Sequence, residues 1–358
     1  MPRVENFRHS VKGPTALISG ITGQDGGYLA GLLLGKGYVV HGFSRNIARF
    51  DPSRLNGVPN AEERLHLHTC DLQDEKGLVQ LLEVTQPDEI YNLAGQSHIQ
   101  TSFENQAYTS DVNAASVVRF LNALVKLDPE RRIRFCQASS SEIFGDTKGR
   151  PQNEATQFRP LSPYAVSKHA AFEAIVEFRE AFGTFATNAI LFNHESPFRG
   201  MSFVTRKISL AVAAYHHGTG VPLRLGNLDA RRDWGHARDY VEGMWLMLQQ
   251  DRPSDYVLAS GENHSVREFV EYAFAESGRR IAWAGTGVDE VGCDASSGER
   301  LVEIDPAFFR MIDVDATLGD PTRAHTELGW RRHTNFPQLV REMVTADIAS
   351  LSQAAAPN

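Results

Sequence analysis

The sequence has no apolar run long enough to span a bilayer. Its longer ones, such as Leu29 to Leu34, fall far short of the ~18–20 residues a membrane helix needs. It is also poor in cysteine: Cys70, Cys136 and Cys293 are neither even in number nor spaced like a zinc site, so no disulfide framework and no metal are expected. Nor is there a basic excess. Thirty-six Lys and Arg stand against 44 Asp and Glu, a net charge of −8, which argues against nucleic acid as a partner. The first fourteen residues are polar and hold no apolar signal-peptide segment. A soluble, reduced, cytoplasmic globular protein is the expectation, with no membrane partner. At 358 residues it can form one large or two modest domains.

What is present is alternation. Strand-like runs at Thr15 to Ser19, Val39 to Phe43, Leu65 to Thr69, Glu89 to Leu93, Ile133 to Gln137 and Asn188 to Phe192 are separated by helical patterns. The helical patterns include Gly27 to Leu34, Lys76 to Val84, Val112 to Leu127 and Pro163 to Ala181. Short strands alternating with helices imply right-handed βαβ units and a doubly wound, Rossmann-like parallel sheet, an α/β fold. The alternation ends near Asn193. Gly- and Pro-punctuated segments follow, with helical patterns at Ile208 to His216 and Val241 to Leu248. We therefore expect a dinucleotide-binding domain over 14–193 and a smaller C-terminal α/β domain over 194–350, with part of 225–260 returning to the first.

Three motifs carry chemistry. In ISGITGQDGGYLA, Gly20, Gly23 and Gly26 lie between a strand and a helix, where glycines permit a tight turn and let a pyrophosphate approach the helix amides. A plain strand–helix turn is the alternative. At the end of the second strand an acid favours NAD and a cation favours NADP; the chain has Arg45 there, so NADP is expected. Second, Tyr164 and Lys168 are four apart on a helix begun by Pro163, so phenol and ammonium share a face. A cation beside it should lower the tyrosine pKa and make Tyr164 a proton acceptor near neutrality. Third, QASSSE from Gln137 to Glu142 closes the fifth strand with hydroxyls that could bond a substrate alcohol and with a carboxylate that could serve as a general base; strand-end capping is the alternative reading.

The three motifs occur in the order of the extended short-chain dehydrogenase/reductase superfamily. The blocks GITGQDGGYLA, EIYNLAGQSHIQTSFE, SPYAVSKHAA, NHESPFRG, FVTRKI and LGNLDARRDWGHARDYVEGMW closely resemble the GDP-mannose 4,6-dehydratase family, over residues 14–345. The resemblance implies that Tyr164 takes the proton of the sugar 4-hydroxyl, that Lys168 holds the nicotinamide ribose, that Ser140 (threonine in most of the family) bonds the 4-hydroxyl, and that Glu142 removes the C5 proton. Water then leaves C6 and the hydride returns there, so tightly bound NADP is regenerated each turnover. It further assigns the cofactor to Gly20, Ile21, Thr22, Gly23, Gln24, Asp25, Arg45, Asp71, Leu72, Leu93, Ala94, Gly95, Gln96, Ser97, Tyr108, His194 and Arg199. The GDP-sugar is assigned to Asn193, Lys207, Arg232, Arg310 and Asp313, together with Ser97 and Glu142. Arginine and lysine suit a diphosphate by charge and geometry, so a net-acidic chain can bind it in a local basic pocket. A carboxylate can remove a C–H made acidic by an adjacent ketone, a role a simple reductase does not need.

The chain also departs from the family pattern. SRNIARFDPSRL replaces RRSSSFNT after the second strand, losing an arginine and the serines in a loop that in the family reaches a neighbouring subunit's cofactor. Homodimer and homotetramer both stay open. Gly95 replaces an alanine, Met311 a proline and Asp313 a glutamate. A related enzyme on a GDP-manno-heptose, a C4 dehydrogenase or an epimerase is the alternative function. A catalytically silent nucleotide-binding protein is a remote one, disfavoured by the intact Ser140, Glu142, Tyr164 and Lys168. Cys70 and Cys136 are expected to be small core residues.

Overall fold

A computed structural model describes residues 13–55, 57–309 and 314–355. The labelled elements of the first lobe are β1 (Thr15–Ser19), α1 (Gln24–Gly35), β2 (Val39–Ser44), β3 (Leu65–Thr69), α2 (Glu75–Thr85), β4 (Glu89–Asn92), α3 (Ser116–Leu127), β5 (Arg134–Ala138), α4 (Pro163–Phe182), β6 (Phe185–Leu191), α5 (Ala237–Leu248) and β7 (Tyr256–Leu258). The seven strands form one sheet in the order β7-β6-β5-β4-β1-β2-β3, and every pairing is parallel. The order reverses at β1, between β2 and β4. Such a switch point opens a crevice beyond the carboxyl ends of the strands, and ligands bind there.

Composition explains the layers. Ala16, Leu17 and Ile18 are wholly buried because a parallel strand is covered on both faces, so it reads as a continuous apolar run. Ile18 and Val40 face the core under α1 and α5, whereas Leu17, Phe43 and Phe135 face the one under α2, α3 and α4. The last strand, β7, is three residues long and comes from far along the chain, after the chain has left the sheet and come back.

The chain between β6 and α5, together with the chain after β7, builds a second lobe. A four-stranded sheet, Ile281–Ala284, Val291–Asp294, Arg300–Ile304 and Leu223–Leu225, stands with the helices Val204–His216, Val266–Glu276 and Phe336–Ala355. Trp234 and Phe336 stack in its core at 6.0 Å between ring centres. The lobes meet where Asn193–Glu195 pairs in parallel with Trp234–His236, directly after β6. Among the described residues no helix is long and apolar enough to cross a membrane, and no group of three His, Cys, Asp or Glu is placed to hold a metal ion.

Candidate active site

One cavity of about 780 Å³ runs from the carboxyl ends of the strands into the cleft between the lobes. Its first wall is the turn between β1 and α1. Gly20 has φ +72°, and a Cβ there would lie 3.0 Å from the Ala94 backbone; at Gly26 it would lie 2.4 Å from the Gly20 carbonyl. Only glycine lets this turn fold so tightly over the sheet. Thr22, Gly23, Gln24 and Asp25 line the cavity with it. Ile21 does not. Its side chain is wholly buried against Gly42, where a Cβ would come within 2.4 Å of it, and its amide points at the Phe43 carbonyl. Expected at the cofactor, Ile21 is placed with its side chain in the core, where it anchors the turn.

Several of the remaining turn residues hold one another. The Gln24 amide donates to Asp25 Oδ1 and to the His194 carbonyl, and Ser196 Oγ donates to Gln24 Oε1. His194 places Nε2 2.9 Å from Asp25 Oδ2 and Nδ1 2.7 Å from the Phe192 carbonyl. Both ring nitrogens face oxygen acceptors, an arrangement that favours the charged ring. Burial opposes both charges, but the pairing outweighs it: the Asp25 carboxyl sits below its ordinary value and His194 above its own. This ion pair ties the phosphate turn to the strand that leads into the second lobe.

Farther along, Arg45 lies at the end of β2 with its guanidinium 5.6 Å from the ring centre of Tyr108. Asp71 and Leu72 follow β3, Leu93 to Ser97 follow β4, and all face the same cavity. Cys136 is buried in β5, as expected of a small core residue. Cys70 instead lines the cavity, because β3 is an edge strand, and burial beside Asp74 and Asp71 pushes its thiol up to about 11. At Gly95 a Cβ would meet Asn113 Oδ1 at 2.8 Å and Lys168 Nζ at 3.8 Å. The missing methyl thus leaves room against Asn113, which bonds the Gln96 backbone and Ser167, and enlarges the substrate space little.

The residues expected to carry the chemistry stand on two elements. Helix α4 starts at Pro163, capped by Ser162, whose hydroxyl accepts from the Ala165 amide at 3.1 Å, and stops at Gly183 with φ +67°. It presents Tyr164 and Lys168, both buried, to the cavity. The sheet presents Ser139, Ser140, Ser141 and Glu142 from the end of β5. Lys168 Nζ donates to the Ala138 carbonyl at 2.8 Å and sits 5.9 Å from the Tyr164 ring centre. The expected fall in the Tyr164 pKa is not found. Burial pushes the phenol up to about 12, opposed by the Ser140 hydroxyl and assisted by the negative charge of Glu142. Burial also lowers Lys168 to about 8, against the pull of Asp25.

At the far end the lining is basic. Lys207 stands 4.3 Å from the ring centre of Phe308, and Arg232 donates to the Arg231 and Val314 carbonyls. Arg199 is paired with Glu195 at 3.1 Å and lies over Phe203, so its charge is partly committed within the protein. Asn193 lines the cavity between the two ends. Arg310 and Asp313, and Met311 with them, lie outside the described residues. Three contributors were not visible in the sequence. Arg224 lines the cavity from a strand only three residues long. His98 stacks on Phe203 at 4.8 Å and bonds Ser202 at 3.2 Å, roofing the site. Arg54 reaches the phosphate turn from a surface loop.

The sheet order, the glycine turn and the buried Tyr164–Lys168 pair define a short-chain dehydrogenase/reductase of the extended, two-lobed kind. Solved structures share the fold: an RMD from Pseudomonas aeruginosa complexed with NADPH has a TM-score of 0.75 at 22% identity, covering 94% of this chain and 100% of its own. A UDP-glucose 4-epimerase from Thermus thermophilus in complex with NAD has a TM-score of 0.77 at 21% identity, covering 96% and 100%. In sequence, a GDP-mannose 4,6-dehydratase of Sinorhizobium fredii (strain HH103) is 52% identical over 340 residues, 94% of this chain and 97% of that protein. The Homo sapiens GDP-mannose 4,6 dehydratase is 48% identical over 338 residues, 93% and 91%. The model of the GDP-mannose 4,6 dehydratase family matches residues 17–343, and the chain belongs to that family.

Proposed function

We propose that the protein converts GDP-mannose into GDP-4-keto-6-deoxymannose and water, with NADP regenerated within each turnover. The observation that carries this reading is the convergence of Ser140, Glu142, Tyr164 and Lys168 at the middle of one cavity, with a dinucleotide turn at one end and a basic lining at the other. The turn fits a pyrophosphate, because its glycines leave no side chain between backbone and ligand, and Arg45 fits a 2′-phosphate. Bound there, NADP supplies the acceptor and donor of the hydride exchanged with the sugar.

The chain supplies proton handling and position. Tyr164 takes the 4-hydroxyl proton, and Ser140 bonds that oxygen. A phenol held near 12 is a poor base alone, so added positive charge at the nicotinamide end, with the Lys168 ammonium, is what brings it into range. Glu142 removes the C5 proton once C4 is a ketone and gives it to the departing 6-hydroxyl, which leaves as water; when hydride returns to C6, C5 takes up one proton, balancing the one that Tyr164 took from O4. Lys207, Arg224 and Arg232 meet the GDP diphosphate. Incubation of the purified protein with GDP-mannose and no added NADPH tests the assignment: a product lighter by one water is expected, and unchanged substrate would contradict it.

For the assembly we infer a homodimer joined through α3 and α4. These helices leave Val118 37% and Val166 54% exposed beside the buried catalytic face. Light scattering after gel filtration should give twice the 39.7 kDa chain mass; a monomer would exclude it.

A further inference from the structure

The loop between β2 and β3 carries two cations that treat the cofactor end differently. Arg45 opens into the cavity, whereas Arg54 approaches the same turn from behind. Arg54 Nη1 donates to the Thr22 carbonyl at 3.0 Å and the Gly23 carbonyl at 2.7 Å. Its guanidinium lies 4.9 Å from the ring centre of Phe198, which belongs to the segment after His194. Its stem crosses α1 at Gly27, where a Cβ would stand 2.9 Å from Arg54 Cδ. No carboxylate lies within ion-pair distance of it among the described residues, the nearest charge acting on it being that of Asp51.

A trans peptide points its carbonyl and its N–H in opposite directions. Holding the Gly23 carbonyl from behind therefore turns the Gln24 amide, on the same peptide, toward the cavity. That amide is one of the unpaired N–H groups of the first turn of α1, the groups an anion uses. The Gly23 carbonyl also accepts from the Gly27 amide, so Arg54 and the first helical bond fix one peptide plane together.

We propose that Arg54 is a positioning residue for the dinucleotide pyrophosphate: it clamps the Thr22 and Gly23 carbonyls so that the Gln24 backbone amide faces the ligand, and it adds positive charge behind that amide. This rests on the dinucleotide reading of the turn. Arg45 selects NADP over NAD through the 2′-phosphate, while Arg54 serves both dinucleotides equally because both carry the pyrophosphate.

The test is the dissociation constant of NADP and of NAD for the cofactor-stripped full chain, by calorimetry, in wild type, Arg45→Met, Arg54→Met and Gly27→Ala. Arg54→Met keeps an apolar stem against Gly27 and removes the guanidinium. It should weaken both dinucleotides by a common factor of roughly 10 to 100, the scale of lost hydrogen bonds to a charged group. Arg45→Met should weaken NADP alone. Gly27→Ala displaces the Arg54 stem while favouring the helix, so it should weaken both dinucleotides without lowering the melting temperature, and it decides the matter if Arg54→Met does not fold. Exchange of the Gln24 amide should quicken in both variants without cofactor. Wild-type affinity in a folded Arg54→Met, or in Gly27→Ala if that alone folds, overturns the proposal, as does a loss confined to NADP. If the wild type binds neither dinucleotide, the reading of the turn fails and Arg54's role falls with it.

Discussion

In the proposed mechanism Glu142 and Tyr164 divide the chemistry, and each has its own signature. Glu142→Gln keeps size and hydrogen bonding but cannot accept the C5 proton. It should cut product formation by about 10²–10⁴-fold while the first oxidation still occurs, seen as a cofactor absorbance that rises and stays on mixing with GDP-mannose. Full dehydratase turnover in that variant would remove Glu142 from the mechanism. Tyr164→Phe should abolish both phases, because the 4-hydroxyl proton then has no acceptor. The residues legible in the sequence were those whose type is unusual for their place: glycines between a strand and a helix, an i, i+4 Tyr and Lys behind a proline, a carboxylate at a strand end. Arg54 was not legible, because an arginine in a polar loop has no sequence mark until folding brings it against Thr22 and Gly23. Ile21 shows the converse. It stands inside the glycine motif yet faces the core, packed against Gly42.

At the scale of elements, α4 matters as a platform. Its first turn carries Tyr164, and its cap is a single bond from Ser162 to the Ala165 amide. Ser162→Ala should cost about 1 kcal/mol of stability, read as a lower midpoint in urea; an unchanged midpoint would mean that the turn is held by packing alone. The outer strands hold a different kind of group. His41 on β2 lies 2.9 Å from His68 on β3, with the His66 ring 4.9 Å from its own. Burial, together with the charges of His68 and His66, depresses His41 from 6.5 to about 3, and burial lowers His68 as well. A histidine whose pKa falls on folding stabilises above its unfolded value and loses that contribution as the pH drops from 6.5 toward the folded value. The melting temperature should therefore fall between pH 7 and pH 5, and His41→Val should flatten that slope; an equally steep slope in the variant would exonerate the cluster. Strands β1 to β6 were legible because buried parallel strands are short apolar runs between helical patterns. β7 and Leu223–Leu225, three residues each, were not. So short a segment shows no period, and its place in a sheet is decided by partners distant in the chain.

For the whole molecule, a net charge of −8 and a phosphate-binding function coexist because the charge is sorted in space. The cavity is lined by six cations, Arg45, Lys168, Arg199, Lys207, Arg224 and Arg232, against four acids, Asp25, Asp71, Glu142 and Glu195, the reverse of the balance of the whole chain. The two lobes share the work. In the proposed reading one holds a dinucleotide at the carboxyl ends of the strands and the other takes the sugar nucleotide; the Asp25–His194 pair fastens them where β6 gives way to the second lobe. The central claim is that oxidation at C4 and reduction at C6 occur on one sugar without exchange of the hydride. GDP-mannose carrying deuterium at C4, turned over by the enzyme with its own bound cofactor, measures this directly. The product should retain the deuterium, now at C6, with the cofactor ending in its starting redox state. Deuterium lost to solvent or accumulating in the cofactor, or a product in which C6 keeps its hydroxyl, would contradict it.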